Sequence, residues 1–321
     1  MSKRLQDQLN RYLSDAHSIE KQALAQLRAA PDIAGDPELA SLFRRHLAET
    51  EGHERMVREL LVERGTKPSR LKDAVMAVGG KGFVLFARLQ PDTPGKLVAH
   101  SLSYEALELA SYELLARVAD RAGEPQVSGV ARQICAEERT MMRRLEESFD
   151  RSTAASLASD RESPRERLRK YLADAHAIEE EAIELLERAP DLSDGVLADV
   201  YNDHLAETRE HASLVAARLE ALGGDISTLK DAVMRAGAMN WAAFFQAHPD
   251  TAGKLAAFVF AFEHLEIGGY EQLRRVADRA GDRETIVLVD RILLQERSAA
   301  NRVAEHFDEA VSATLNVLLA T

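Results

Sequence analysis

The chain has 321 residues, of which 45% are apolar and 29% charged, and this composition predicts a soluble globular protein with length for two domains of about 150 residues. Its formal net charge of -12 and the lack of a basic, aromatic-rich patch argue against nucleic acid or an anionic membrane as a partner. The single Cys135 excludes an intrachain disulfide, and no signal-peptide core or membrane-length apolar run is present, so we expect a cytoplasmic protein.

The first 150 residues predict four long helices, because apolar residues recur at spacings of three and four. Asp36-Pro37 is typical of a helix start, and Gly65 and Gly123 are typical of helix ends. About 28 residues, 65–92, separate the second and third helices, which is enough to cross the length of a bundle as in ferritin-like folds. The predicted helices run from Lys3 to Ala29, Pro37 to Arg64, Thr93 to Ala122 and Pro125 to Phe149.

The second half of the chain repeats the first. The segment "RYLSDAHSIEKQAL" returns as "KYLADAHAIEEEAI", and from Leu39 onward the two copies are related by a constant offset of 158 residues. We therefore predict two domains, 1–150 and 163–321, joined by a Ser/Ala-rich linker at 151–162. Because duplication puts identical faces on a short tether, we expect the two bundles to pair within one chain through Phe83–Leu89 and Trp241–Ala247.

Each predicted helix of the first copy carries acidic or imidazole side chains in the middle of its apolar stripe. In the second helix His46, Glu49 and His53 interrupt the stripe, and antiparallel packing would bring these residues to one layer with acids from the other three helices. Those acids are Glu20, Glu105, Glu108 and Glu138, and the second copy repeats the whole set as Glu179, His204, Glu207, His211, Glu263, Glu266 and Glu296.

A layer of five carboxylates needs protons, basic partners or cations, because each unpaired buried ion costs several kcal/mol. Carboxylates from several helices together with histidine are the ligands of dinuclear iron and manganese sites. Glu at spacings of three and four is also common on solvated helix faces. A structural interpretation, in which the inner acids are protonated or hydrated and no metal binds, therefore stays open.

The segments "FEHLEIGGYEQLRRVADRAG", "HLAET" and "AIEEEAI" resemble the YciE/YciF-type ferritin-like family of bacterial stress-associated proteins, distant relatives of rubrerythrin and ferritin. The resemblance implies four-helix bundles with two metal ions per bundle, iron or manganese, held by the acids named above. In that assignment Glu49 and Glu138 bridge the metals, and His46 or His53 supplies nitrogen. Two departures from the ferritin pattern are that Gly52 stands three residues after Glu49 and that the fourth helix has no histidine partner.

Our leading hypothesis is that the dinuclear site reacts with oxygen or peroxide, as in an oxidoreductase of the ferroxidase or the peroxidase/catalase type. One alternative is a stress protein that binds metal without turnover, and the other is a helical structural protein with no metal. The expected partners are thus metal ions and oxygen or peroxide, and a further homo-oligomer stays open.

Overall fold

A computed structural model describes residues 3–66, 93–158, 162–189, 193, 195–225 and 251–320. Within these ranges all regular structure is helical, which confirms the predicted all-α fold with two tandem bundles. The helices are α1 (Lys3–Leu27), α2 (Ala30–Ile33), α3 (Pro37–Glu63), α4 (Thr93–Arg121), α5 (Pro125–Glu147), α6 (Phe149–Ala158), α7 (Pro164–Arg188), α8 (Val196–Ala221), α9 (Thr251–Ala280), α10 (Arg283–Glu305) and α11 (Phe307–Ala320).

The residues that the sequence analysis gave as helix starts and helix ends are found at those positions in the structure. The carboxylate of Asp36 accepts hydrogen bonds from two backbone N–H groups in the first turn of α3, at 2.9 and 3.1 Å. Gly65 and Gly123 follow α3 and α4 with φ of 66° and 61°, a left-handed conformation that only glycine adopts without strain. The long helices of the first copy therefore end within about two residues of the sequence-based bounds.

Four helices of each copy close a bundle around the polar layer. In the first copy α1 packs on α3 and α4, and α5 packs on the same two helices. In the second copy α7 and α10 each pack on α8 and α9. The chain divides into two compact units, Met1–Asp160 with Leu315–Thr321, and Arg161–Thr314.

Each copy has a helix after its fourth long helix that the sequence did not predict, and the first copy also has the short α2. Helix α6 covers 149–158, most of which was assigned to the linker, and it packs on α4. The hydroxyl of Ser156 in α6 accepts a 2.7 Å hydrogen bond from Gly95 N in the first turn of α4. The same bond joins Gly253 N to Thr314 Oγ1 at 3.0 Å in the second copy. The prediction that this Ser/Ala-rich segment is a linker was therefore wrong, since most of it is helical. Helix α6 caps α4, because the first N–H groups of a helix have no hydrogen-bond partner within that helix.

Several predicted features lie outside the described residues. They are the spacers at 67–92 and 226–250 and, within these, the segments Phe83–Leu89 and Trp241–Ala247 predicted to pair the bundles. In the described part of the chain, every helix is too short or too polar to cross a lipid bilayer.

Candidate metal centre

Six polar side chains meet in the middle of the first bundle. Each is at most 2% exposed, and together they offer four carboxylates and two imidazoles. They are Glu20 from α1, His46 and His53 from α3, Glu105 and Glu108 from α4, and Glu138 from α5.

These six side chains form two overlapping groups of potential ligands. One group consists of His46, Glu105, Glu108 and Glu138, the other of Glu20, His53 and Glu138, and the ligand atoms within each group lie within 4.8 Å of one another. Glu138 belongs to both groups. The arrangement therefore offers two neighbouring positions that could hold a metal ion, with one carboxylate common to both.

His46 has one ring nitrogen facing the centre and one facing outward. Its Nε2 lies 2.8 Å from Glu105 Oε2 and 3.8 Å from Glu138 Oε2. Its Nδ1 lies 3.1 Å from Glu49 Oε2 at the edge of the bundle. If Nδ1 carries the proton and donates it to Glu49, Nε2 keeps its lone pair for a metal.

His53 repeats this arrangement with its nitrogens exchanged. Its Nδ1 faces inward, 2.9 Å from Glu138 Oε1 and 3.8 Å from Glu20 Oε1. Its Nε2 lies 2.9 Å from Oε2 of Glu137, whose side chain is 37% exposed. Both histidines therefore have an outer carboxylate, which is the partner that fixes ring orientation in metal-binding histidines.

Glu49, which the sequence analysis gave as a bridging ligand, lies at the edge of the centre. Its side chain is 33% exposed and joins neither ligand group. Arg144 Nη1 lies 3.2 Å from Glu49 Oε1. The hydrogen bond with His46, followed by that with Arg144, lowers the pKa of Glu49 to about 2. In this structure Glu49 is therefore an ionised outer partner of His46, and the arrangement does not support its predicted bridging role.

In the metal-free centre the pKa values of Glu20, His53 and Glu138 are raised. Burial, followed by the charge of Glu105, raises the pKa of Glu138 to about 8, and burial also raises the pKa of Glu20 to about 8. Burial by itself would lower the pKa of His53, but its hydrogen bond with Glu138 and the charge of Glu20 outweigh burial and raise that pKa to about 9. Metal ions that bind to these three side chains must therefore displace protons from them.

Among the described residues, Glu108 is the one inner acid of the first copy that has neither a hydrogen-bond partner nor a close imidazole. It is fully buried, and neither carboxylate oxygen has a hydrogen-bond partner among the described residues. By contrast, Oε1 of Glu20 accepts a 2.5 Å hydrogen bond from the hydroxyl of Tyr112. Its other oxygen, Oε2, is buried and also lacks a hydrogen-bond partner in the described part of the chain. These unpaired oxygens point to a ligand that the protein itself does not supply.

The second bundle reproduces the inner geometry. His204 Nε2 lies 2.8 Å from Glu263 Oε2, and His211 Nδ1 lies 2.6 Å from Glu296 Oε1. The two ligand groups are His204, Glu263, Glu266 and Glu296, and Glu179, His211 and Glu296. Glu207 stays outside both, 3.2 Å from His204 Nδ1 and 2.5 Å from Arg302.

Two groups around the centre were not identified from the sequence: Arg144, which contacts Glu49, and Glu137, which contacts His53. Arg144 and Arg302 occupy equivalent positions, so the repeat itself could have marked them. Glu137 could not have been found in this way, because its counterpart is Gln295, which lies 3.2 Å from His211 Nε2. The tyrosines one turn after Glu108 and Glu266, which are typical core residues, also reach the centre as hydrogen-bond donors to Glu20 and Glu179.

His17, one turn before Glu20, lies outside both ligand groups of the first copy. Its Nε2 is 3.1 Å from Glu54 Oε1 in the buried space between α1 and α3. The equivalent His176 lies 3.8 Å from Glu180. Both histidines therefore contact acids other than the inner set.

Both copies match one family model, described as a domain of unknown function (DUF892), over residues 4–158 and 163–316. The chain therefore belongs to this family, which is the YciE/YciF-like ferritin-like family, as a tandem duplication. No solved structure matches the chain.

Proposed function

We propose that each bundle of this DUF892 chain binds two divalent iron or manganese ions. In the first copy the ligands are the four inner carboxylates, with His46 and His53 as nitrogen donors. Four ionised carboxylates carry a charge of about -4, and two divalent ions carry the opposite charge. A buried layer of charged groups requires this compensation. Oxygen donors supplemented by imidazole suit both metals.

The observation that carries this proposal is the pair of unpartnered oxygens on Glu108 and its counterpart Glu266. Both side chains are at most 1% exposed, and among the described residues neither has a hydrogen-bond partner for either oxygen. A purely structural core would leave these groups at a cost of roughly 1–3 kcal/mol each. Metal coordination removes that cost, because it uses the oxygens directly.

The distribution of ligands differs from that of the ferritin-like di-metal proteins. Those proteins take one Glu from each of two helices and a Glu-x-x-His pair from each of the other two. Here the number of carboxylates and imidazoles is the same, but both imidazoles come from α3 and two carboxylates come from α4. The donor set is therefore complete without a histidine in α5, the helix that the sequence left short of ligands.

We propose further that the loaded protein handles oxygen or peroxide in the cytoplasm during a stress response, as the ferritin-like family suggests. The bound metals would supply the redox chemistry, and this chain's residues would set their position and access. The outer carboxylates hold the histidine rings in one orientation, while Tyr112 holds the carboxylate of Glu20.

Elemental analysis after expression in iron- or manganese-supplemented medium tests the metal assignment. We expect about four ions per chain, two per bundle, and a melting temperature that falls when a chelator removes them. Less than one ion per chain under both supplements, with a melting temperature indifferent to chelator, would favour the structural alternative. Consumption of oxygen or peroxide by the loaded protein then separates an oxidoreductase from a metal-binding protein without turnover.

The pairing of the two bundles within one chain also stays a proposal. It is supported by the duplication, since two identical faces on one chain meet at a high effective concentration. Small-angle scattering that shows two bundles moving independently in solution would contradict it.

A further inference from the structure

A small cavity lies against the candidate metal centre of the first copy. It is enclosed by residues of α1, α2 and α4, and Glu105 forms part of its wall. The volume open to the centre of a water molecule is about 10 Å³, about the least that holds one water. Because Glu105 is also one of the inner acids, the cavity adjoins the centre directly.

The wall of this cavity has a polar part and an apolar part. Besides Glu105, the polar part consists of Gln26, Ser101 and Tyr104, all of which are partly exposed. The rest of the wall is made of Ala and Leu side chains. The hydroxyl of Tyr104 donates a 2.9 Å hydrogen bond to the carbonyl of Ile19, next to the inner Glu20. The cavity therefore offers hydrogen-bonding groups from its partly exposed side up to Glu105.

In the second copy only the polar part of the wall has changed. The Ala, Leu and Glu positions hold the same residue types, whereas Gln26, Ser101 and Tyr104 are replaced by apolar residues. The replacements, Leu185, Val259 and Phe262, are 4%, 1% and 3% exposed. All three hydrogen-bonding side chains are thus lost at once, and their positions are buried.

We propose that this cavity admits water, and polar molecules of similar size such as hydrogen peroxide, to the metal centre of the first copy, and that the second copy lacks this route. The inference rests on the proposed function, because it needs metal in both bundles. A water molecule that crosses an apolar wall gives up its hydrogen bonds, which slows passage by about tenfold or more. The first copy would therefore exchange ligands with solvent, while the second would hold its metal closed off from water.

Water proton relaxation by bound manganese tests this difference without relying on turnover. Glu296→Ala leaves only the first centre able to bind two metals, and Glu138→Ala leaves only the second, because each removed acid is shared by both ligand groups of its copy. The relaxivity is divided by the number of bound Mn²⁺ ions. We expect this value to be higher for the Glu296→Ala protein than for the Glu138→Ala protein, by about threefold or more, because water bound to its metal exchanges with bulk solvent. Equal relaxivity per ion in the two proteins, whether high or low, would overturn the inference.

A matched set of substitutions shows whether the cavity is responsible. In the Glu296→Ala background, Gln26→Leu, Ser101→Val and Tyr104→Phe together give the first copy the wall of the second. We expect the relaxivity to fall to the level of the Glu138→Ala protein with bound manganese unchanged, and an unchanged relaxivity would contradict the proposed route. Tyr104→Phe alone, which removes one hydroxyl, is the variant most certain to fold and should show part of the decrease.

The failure of this inference can be told from the failure of the proposed function. If neither single-centre protein binds manganese, the proposed function fails and the inference fails with it. If both bind manganese and their relaxivities agree, only the inference fails. The reciprocal set, Leu185→Gln, Val259→Ser and Phe262→Tyr, should raise the relaxivity of the second copy, with circular dichroism as the check on folding.

Discussion

The two bundles have the same inner ligands but different surroundings. All six inner residues keep their type between the copies, and the distance from His46 Nε2 to Glu105 equals that from His204 Nε2 to Glu263, 2.8 Å. Around them, however, Glu137 is exchanged for Gln295, and Tyr104 for Phe262. The two copies therefore have the donors for the same metal chemistry, but they differ in the groups that tune the ligands and admit solvent.

The difference is informative because both centres belong to one chain. Any change of temperature, ionic strength or metal supply acts on both copies equally, so each copy is an internal control for the other. Substitutions at the inner positions should affect the two copies alike. Substitutions at the outer positions should affect them unequally or exchange their properties.

The largest effect is expected from the shared carboxylate. Glu138→Ala should remove both ions of the first copy and so about half of the metal in the chain, and adding Glu296→Ala should remove nearly all of it. Elemental analysis of the purified variants measures this loss. The matched control is Glu147→Ala, an exposed acid on the same helix, which should keep the full content. A Glu138→Ala protein that keeps more than three quarters of its metal would show that the acid is not shared.

Loss of the outer carboxylate on α3 should weaken binding without abolishing it. Glu49→Ala removes the partner of His46 Nδ1 and leaves the inner ligands in place, so we expect metal affinity at the first copy to fall by about 10–100-fold. Titration of Mn²⁺ into the Glu296→Ala background measures the change at the first copy alone. The exposed Glu51→Ala on the same helix should have no effect. Complete loss of metal binding at the first copy would show instead that Glu49 is a direct metal ligand.

His53 and its counterpart His211 have different outer partners, Glu137 and Gln295, and exchanging these partners should exchange the metal affinities of the two copies. A carboxylate beside an imidazole makes it a better metal ligand than an amide does, so the first copy should bind metal more tightly. Because the side chain of Glu137 is 37% exposed, the effect is reduced by solvent, to roughly tenfold at most. Calorimetric titration of Glu137→Gln and Gln295→Glu, each in its single-centre background, should show opposite shifts. Shifts of the same sign would mean that the charge of this residue does not control affinity.

The smallest effect is expected in the pH dependence of the metal-free protein. The folded-state pKa of Glu20 and of Glu138 is about 8, against an ordinary 4.5, and that of His53 is about 9, against 6.5. Groups with a raised pKa bind protons more tightly in the folded state, so their contribution is complete below the ordinary values and is lost as the pH rises to between 8 and 9. The melting temperature of the metal-free protein should therefore fall between pH 4.5 and 9, first through the two acids and above pH 6.5 also through His53, by about 2–4 °C for each kcal/mol lost.

Calorimetric melts of the metal-loaded protein over the same pH range are the control for this effect. Metal replaces the protons on the inner acids, so the melting temperature of the loaded protein should change less over this range. Parallel decreases in both forms would assign the pH dependence to groups outside the centre.

Much of the architecture was predictable from the sequence because its causes act within single helices. The Asp36 cap and the left-handed Gly65 mark the two ends of α3 without reference to any other helix. The polar residues in the apolar stripes, such as Glu20, Glu108 and Glu138, could be placed inward in the same way. Helix α6 was not predicted, because its partners, including Gly95, lie on another helix and not in its own sequence.

What the sequence by itself determined is the duplication, the long helices and the six inner residues of each copy, because helical periodicity and repetition are properties of the chain. Only the tertiary structure decided the roles of Glu49 and Thr50. At about 100° per residue around the helix axis, Glu49 lies about 60° to one side of His46 and Thr50 about 40° to the other. Helical periodicity therefore cannot tell which of the two side chains faces the core. Packing turns Thr50 into the core and leaves Glu49 at the edge, where Arg144 of α5 can reach it. That outcome depends on a residue from another helix, since charges separated by 95 positions meet only after the bundle has formed.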